Sequence, residues 1–218
     1  MSAPIATRIA RLDPPRTALF ICDMQERFTR AIHRFDAVES TAAKLIKAAN
    51  TLDIPIWTTE QAPKSLGSTV PGLAALPKPS TSKTVPKTRF SMVLPSLNEW
   101  YSTLKNGAPT GVVLVGIESH VCITQTALDL LEQGIQVWIP ADGVSSCNAA
   151  EVPLALARLK EAGAIVTTSE SILFELIKDA VHPKFKDIQA LIKEEKANTT
   201  ENLEALSGAS GDGQCTIS

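Results

Sequence analysis

The chain has 218 residues, 44% of them hydrophobic and 5% aromatic, with a net charge of −2. That length and apolar content suit one globular domain with a large core and a tail, and no apolar run is long enough to span a membrane. The small net charge supplies no broad basic field, so nucleic acid is not expected as the principal partner.

Residues 1–16 read as an N-terminal arm. Arg8 and Arg11 precede the first acid, Asp13, which is a faint trace of a transit peptide, but there is no secretory apolar segment. The four cysteines, at 22, 122, 147 and 215, lack the close spacing of a zinc site. A reducing, cytoplasmic setting is expected, in preference to a mitochondrial one.

Thr17 to Cys22 is a short apolar run of the kind needed by a strand buried on both faces of a parallel sheet, and Asp23 follows it directly. A carboxylate there lies on the edge where open α/β sheets place ligands, although acids also commonly cap turns. Asp36 and Glu39 have the spacing of a capping box, and Val38, Ala42, Leu45, Ala49 and Leu52 then mark one helix face. Ile54 to Thr59 reads as a second buried strand delivering Glu60 and Gln61 to the same edge. Residues 62–80, rich in proline, read as a long loop over that edge. Thr81 to Val93 reads as a short strand broken by Pro86, with Lys87 and Arg89 just beyond it; a lysine so placed is ordinarily solvated. Pro95 opens a helix with Leu97, Trp100, Tyr101 and Leu104 on its core face.

The segment Gly111 to Gly134, GVVLVGIESHVCITQTALDLLEQG, is the most informative. Val112 to Ile117 is a buried strand rich in β-branched residues, and Ile123, Ala127, Leu130 and Leu131 then recur at helical spacing. Cys122 therefore sits at the mouth of a helix, where unpaired N–H groups and the helix dipole favour a thiolate. Buried cysteines without chemical work are also common, so position alone leaves both readings open. Beyond it come a strand at Ile135 to Pro140, a helix opened by Asn148 and Glu151, a strand at Ala164 to Thr167, and helices from Ser171 and after Pro183. Strands and helices alternate without internal repeats, which predicts a three-layer α/β/α sandwich around a mostly parallel, doubly wound sheet over residues 17–196. Residues 197–218 are polar and predicted to be a disordered tail.

An Asp closing the first strand, KTRFSM after the third, and GIESHVCITQTALDLLEQG at the fourth together resemble the isochorismatase-like cysteine hydrolases over about residues 17–180. Thr59, Glu60 and Gln61 add a likeness to the isochorismatase domain-containing proteins of that superfamily. The resemblance implies a catalytic Asp23, Lys87 and Cys122: a proton shuttle, a charge that holds the pair together, and a nucleophile. It also implies a cis peptide at Ile117 to Glu118 that aims N–H groups at an oxyanion, with Glu118 contributing backbone geometry and His120 serving as a turn or pocket-wall residue without an evident partner. Related nicotinamidases carry an Asp and two His as a metal site after the second strand, where this chain has Thr59, Glu60 and Gln61; its three histidines, at 33, 120 and 182, form no recognisable ligand set. No metal or cofactor is expected, and nicotinamide is disfavoured as substrate. The vinyl ether of true isochorismatases is disfavoured too, because some of those enzymes lack the cysteine.

The expected activity is hydrolysis of a small amide-like C–N bond through a thioester. The competing expectation is a binding or scaffolding protein that keeps the fold without useful turnover. Phe28, Gln61 and Trp138 are candidates for the substrate wall, each also readable as packing. The resemblance further implies a homo-oligomer. Finally, Cys215 to Ser218 matches a C-a-a-X prenylation signal without a polybasic run upstream, and a single lipid there would give only reversible membrane association.

Overall fold

The computed structural model describes residues 10–207. Seven strands form one sheet: β1 (Thr17–Cys22), β2 (Ile56–Gln61), β3 (Lys83–Lys87), β4 (Gly111–Ile117), β5 (Gln136–Pro140), β6 (Val144–Ser145) and β7 (Ile165–Thr167). Their order is β3-β2-β1-β4-β5-β7, and β6 pairs with β4 above β5. Every pairing between these strands is parallel. The chain winds outward from β1 to β2 and β3, then crosses to β4 on the other side. The switch point, where such sheets place ligands, thus lies between the carboxyl ends of β1 and β4.

Helices cover both faces, giving the three-layer α/β/α sandwich. One layer holds α1 (Phe35–Leu52), α7 (Ser169–Ile177), α8 (Phe185–Glu194) and α9 (Lys196–Ser207); the other holds α4 (Pro95–Thr103), α5 (Thr124–Glu132) and α6 (Glu151–Glu161). Short helical turns α2 (Pro63–Leu66) and α3 (Pro71–Ala74) interrupt the proline-rich segment. The strands divide the core by parity, as the two-residue period requires. Leu19 and Ile21 of β1, with Val113, Val115 and Ile117 of β4, pack under α1, whereas Ala18, Phe20, Cys22, Val112 and Leu114 pack on the other side.

Four sequence expectations need correction. Residues 196–207 are helix, not disordered tail: Thr199 and Asn202 are buried, Asn202 Nδ2 donates to Thr41 Oγ1 at 3.1 Å, and Thr199 Oγ1 accepts from Lys44 Nζ at 2.7 Å. This helix docks through polar pairs in place of an apolar stripe, so its composition resembled that of a solvated segment. Residues 208–218, including Cys215 and its prenylation motif, lie outside the described residues. The third strand runs through Pro86, because β3 is an edge strand where a missing N–H breaks no ladder, and Lys87 is therefore its last residue. The proline-rich segment buries Val70 and Leu73 beneath the α1 layer and does not arch freely over the edge. Asp36 is not the N-cap: α1 starts at Phe35 from a left-handed Arg34, and Asp36, already inside the first turn, pairs with that arginine at 3.2 Å.

Candidate active site

The site is built where β1, β3 and β4 end. β4 approaches β1 so closely that a Cβ on Gly116 would lie 2.8 Å from Cys22 Cβ, and Gly116 has φ 136°, so only glycine fits there. Adjacent strand residues normally point to opposite faces, yet Cys22 and Asp23 both offer atoms to one cluster. The reason is local: Asp23 has φ 53°, a left-handed conformation that carries its carboxylate back to the side of Cys22. Such a conformation costs a non-glycine residue about 1 kcal/mol, least for Asp and Asn.

Cys122 arrives from the other strand. After β4, Glu118 has φ 58°, and Ser119–Ile123 form a single π-helical turn that leads into α5. The Val121 and Ile123 N–H groups both donate to Glu118 O, at 2.9 and 3.2 Å. Thr126 Oγ1 donates to Cys122 O at 2.6 Å and accepts from Met92 N at 2.9 Å, joining the segment after β3 to the cysteine turn. Among the described residues every peptide bond is trans, so the expected cis bond at Ile117 to Glu118 is absent. The left-handed Glu118 supplies the change of direction instead.

Lys87 occupies the centre. Its Nζ lies 2.7 Å from Asp23 Oδ2 and 3.8 Å from Cys122 Sγ, and donates to Gln61 Oε1 at 2.6 Å and to the carbonyls of Phe90 and Arg89 at 2.9 and 3.1 Å. Burial pulls the ammonium's pKa down, but Cys22, Asp23 and Cys122 outweigh it, and the net shift is upward from 10.5. Thr59 Oγ1 donates to Asp23 Oδ1 at 2.8 Å, while the buried Oδ2 faces, among the described residues, the Lys87 ammonium alone, at 2.7 Å. One carboxylate oxygen is thus fixed and the other keeps acceptor capacity.

The structure therefore brings Asp23, Lys87 and Cys122 together, with Gln61 beside them as an acceptor for Lys87. Gln61 is itself braced: its N–H donates to Gln25 Oε1 at 2.7 Å, and Gln25 Nε2 donates to Gln61 O at 3.0 Å. Trp138 is excluded from the substrate wall, because it is 1% exposed in the α1-side core, on the face opposite Cys122. Its partner on β4 is Val113, about 13 Å below the strand's carboxyl end at 3.3 Å per residue. Phe28 ends a short 3-10 turn and packs against that same α1-side core. His120 does have partners: Nδ1 lies 3.0 Å from Ser146 Oγ and 3.4 Å from Glu118 Oε2. Sequence reasoning gave no site role to Gln25, Thr126 or Cys22, and read Thr59 only through the family likeness, not as the donor to Asp23. The Cys22 thiol is fully buried and is pushed well above 9.0, first by burial and then by Cys122 and Asp23.

Cys22, Asp23 and Cys122 place their ligand atoms within 4.8 Å of one another, the one such cluster of three among the described residues. Lys87 Nζ already provides a cation against two of these atoms, so a metal ion would have to displace it.

A parallel, doubly wound α/β sheet with a thiol, a carboxylate and an ammonium gathered at its switch point defines the class by architecture: a three-layer α/β/α protein whose candidate site lies at the carboxyl ends of its strands. The chain belongs to the isochorismatase family, whose isochorismatase domain matches residues 17–171. It is 43% identical over 187 residues to isochorismatase domain-containing protein 2 of Xenopus laevis, covering 86% of this chain and 88% of that one. Among solved structures, the MAR1 ribonuclease of Caenorhabditis elegans superposes with a TM-score of 0.79 at 39% identity, covering 96% of this chain and 99% of the other. The YcaC gene product of Escherichia coli, described as an octameric hydrolase of unknown specificity, shares the fold at a TM-score of 0.69 and 21% identity, covering 91% and 95% of the two chains. No helix of the described residues is long and apolar enough to cross a membrane.

Proposed function

We propose that this chain is a metal-independent cysteine hydrolase that cleaves a C–N bond in a small amide-like molecule through a thioester. The observation that carries the reading is the convergence of Asp23 Oδ2 and Cys122 Sγ on Lys87 Nζ, at 2.7 and 3.8 Å, with Lys87 the one group among the described residues that Oδ2 engages. In this mechanism Oδ2 takes the Cys122 proton as sulfur attacks the substrate carbonyl, and Lys87 is the counter-charge for the thiolate. The tetrahedral intermediate collapses as the protonated Asp23 gives its proton to the departing nitrogen. Asp23 then removes a proton from water, which attacks the thioester and releases the acid and the free thiol. Turnover of a panel of small primary and secondary amides tests the proposal. Activity is expected in the wild type and not in Cys122→Ala; equal activity in both, or a folded wild type that turns over no amide and leaves Cys122 unlabelled by iodoacetamide, would overturn it. The latter outcome is that of the binding or scaffolding alternative.

A second reading follows from the name of the Caenorhabditis elegans relative, under which the substrate is RNA. Cleavage of a labelled RNA that survives in Cys122→Ala but not in Asp23→Asn would favour it. The octameric state of the YcaC relative supports a homo-oligomer here, and light scattering giving a monomer would refute that part.

A further inference from the structure

Cys22 has no task in the hydrolytic sequence, yet its sulfur lies within 4.8 Å of Cys122 Sγ at the floor of the site. The two thiols differ in access and in attachment. Cys122 is 6% exposed and sits on the π-helical turn, whereas Cys22 is 0% exposed and held in the ladder between β2 and β4. An oxidant as small as hydrogen peroxide meets Cys122 first, beside the Lys87 ammonium at 3.8 Å. Cys122 itself is only 6% exposed, which restricts the approach of a bulky thiol such as glutathione, and the nearest sulfur placed to resolve an oxidised Cys122 is Cys22, within 4.8 Å. Burial raises the Cys22 pKa, so its proton has to be taken as the sulfur attacks, and the Asp23 carboxylate, within 4.8 Å of both sulfurs, is the base at hand.

We infer that Cys22 is a resolving thiol, and that hydrogen peroxide converts Cys22 and Cys122 into a reversible disulfide that closes the site; this rests on the nucleophilic role proposed for Cys122. In the first step the Cys122 thiolate attacks one peroxide oxygen. An S–O bond forms, the O–O bond breaks, sulfur is oxidised, and the departing hydroxide becomes water with the proton that Cys122 gave to Asp23 on forming the thiolate. In the second step the Cys22 sulfur attacks the Cys122 sulfenic acid. The S–S bond forms, the S–O bond breaks, and the hydroxyl leaves with the Cys22 proton as a second water molecule, Asp23 lying close enough to both sulfurs to pass it. A dithiol reductant restores both thiols. Closing the bond to about 2.05 Å requires the sulfurs to approach, and the π-helical turn carrying Cys122 is the side free of the strand ladder.

The test uses the full chain treated with one to a few equivalents of hydrogen peroxide, alkylated under denaturing conditions and digested without reductant. The expected product is a peptide pair joining Cys22 to Cys122, lighter by two hydrogen atoms and separated by dithiothreitol. In Cys22→Ser and Cys22→Ala the same treatment should drive Cys122 to sulfinic acid. Recovery of Cys122 iodoacetamide labelling after dithiothreitol should then fall at least tenfold below that of the wild type. Sulfinic acid forming at Cys122 equally fast in the wild type and both variants, or Cys122 cross-linking only to Cys147 or Cys215, would overturn the inference. The wild-type peptide map stands even if a variant does not fold. Reduced wild type whose Cys122 takes iodoacetamide but forms no Cys22 cross-link refutes the resolving role alone. A Cys122 inert to both reagents refutes the nucleophile as well.

Discussion

Two lysine–aspartate pairs are buried on opposite faces of the same sheet. Lys44 of α1 lies 3.9 Å from Asp142, and Lys87 lies 2.7 Å from Asp23, all four side chains 0–3% exposed. They differ in what else holds the carboxylate. Asp142 accepts from Ser169 N at 2.8 Å and from the Ser169 hydroxyl, and Lys44 donates to Thr199, so this group is closed. Asp23 has one oxygen fixed by Thr59 and the other faced, among the described residues, by Lys87 alone, and that lysine is shared with a thiol. A satisfied buried pair fixes an arrangement; one with spare acceptor capacity beside a nucleophile can move a proton. The shifts agree with this division. Burial dominates at Lys44 and lowers its pKa from 10.5, whereas the thiols and Asp23 overcome burial at Lys87 and raise it.

The comparison fails first if sulfur is not the reacting atom. Cys122→Ala should reduce amide turnover at least about a thousandfold while leaving stability within about 2 kcal/mol, measured by steady-state kinetics and urea denaturation. The two lysines should then part company. Lys44→Met should cost about 3 kcal/mol in urea unfolding, because Asp142 is left buried and uncompensated, yet should leave the iodoacetamide rate of Cys122 in the folded protein unchanged. Lys87→Met should slow that labelling by about tenfold or more, and equal labelling in the two variants would erase the distinction.

Alkaline pH sharpens it further. A raised Lys87 contributes stability that is present below 10.5 and lost as pH climbs past it toward the folded-state value. A lowered Lys44 does the opposite: its charge costs stability at neutral pH, and that cost is relieved as pH rises toward 10.5. Subtracting the unfolding free energy of each Met variant from wild type between pH 8 and 11 should therefore give slopes of opposite sign. The smallest effect belongs to α9. Asn202→Ala removes the bond to Thr41 and should cost about 1 kcal/mol, read as a lower urea midpoint with Cys122 labelling unaltered.

The strands were legible because β1 and β4 are apolar on both faces, and the same property hid their parity. That is why the side to which Cys22 points could not be chosen, and β5, nearly as buried along its length, left Trp138 readable equally well as site wall or core. Asp23 and Cys122 were legible as residues following apolar runs. Lys87 was legible only through family resemblance, since a lysine after a proline ordinarily reads as loop, and its place on an edge strand depends on pairing with β2. The α9 helix was missed because its anchors are partners distant in sequence, Thr41 and Lys44.

The left-handed backbone at Asp23 also governs how this residue should be interrogated. Asparagine tolerates that conformation and differs from aspartate chiefly in being unable to accept a full proton, so Asp23→Asn isolates acid–base behaviour. Alanine at the same position brings backbone strain of its own, and a routine alanine scan would mix a misdirected chain with a missing carboxylate.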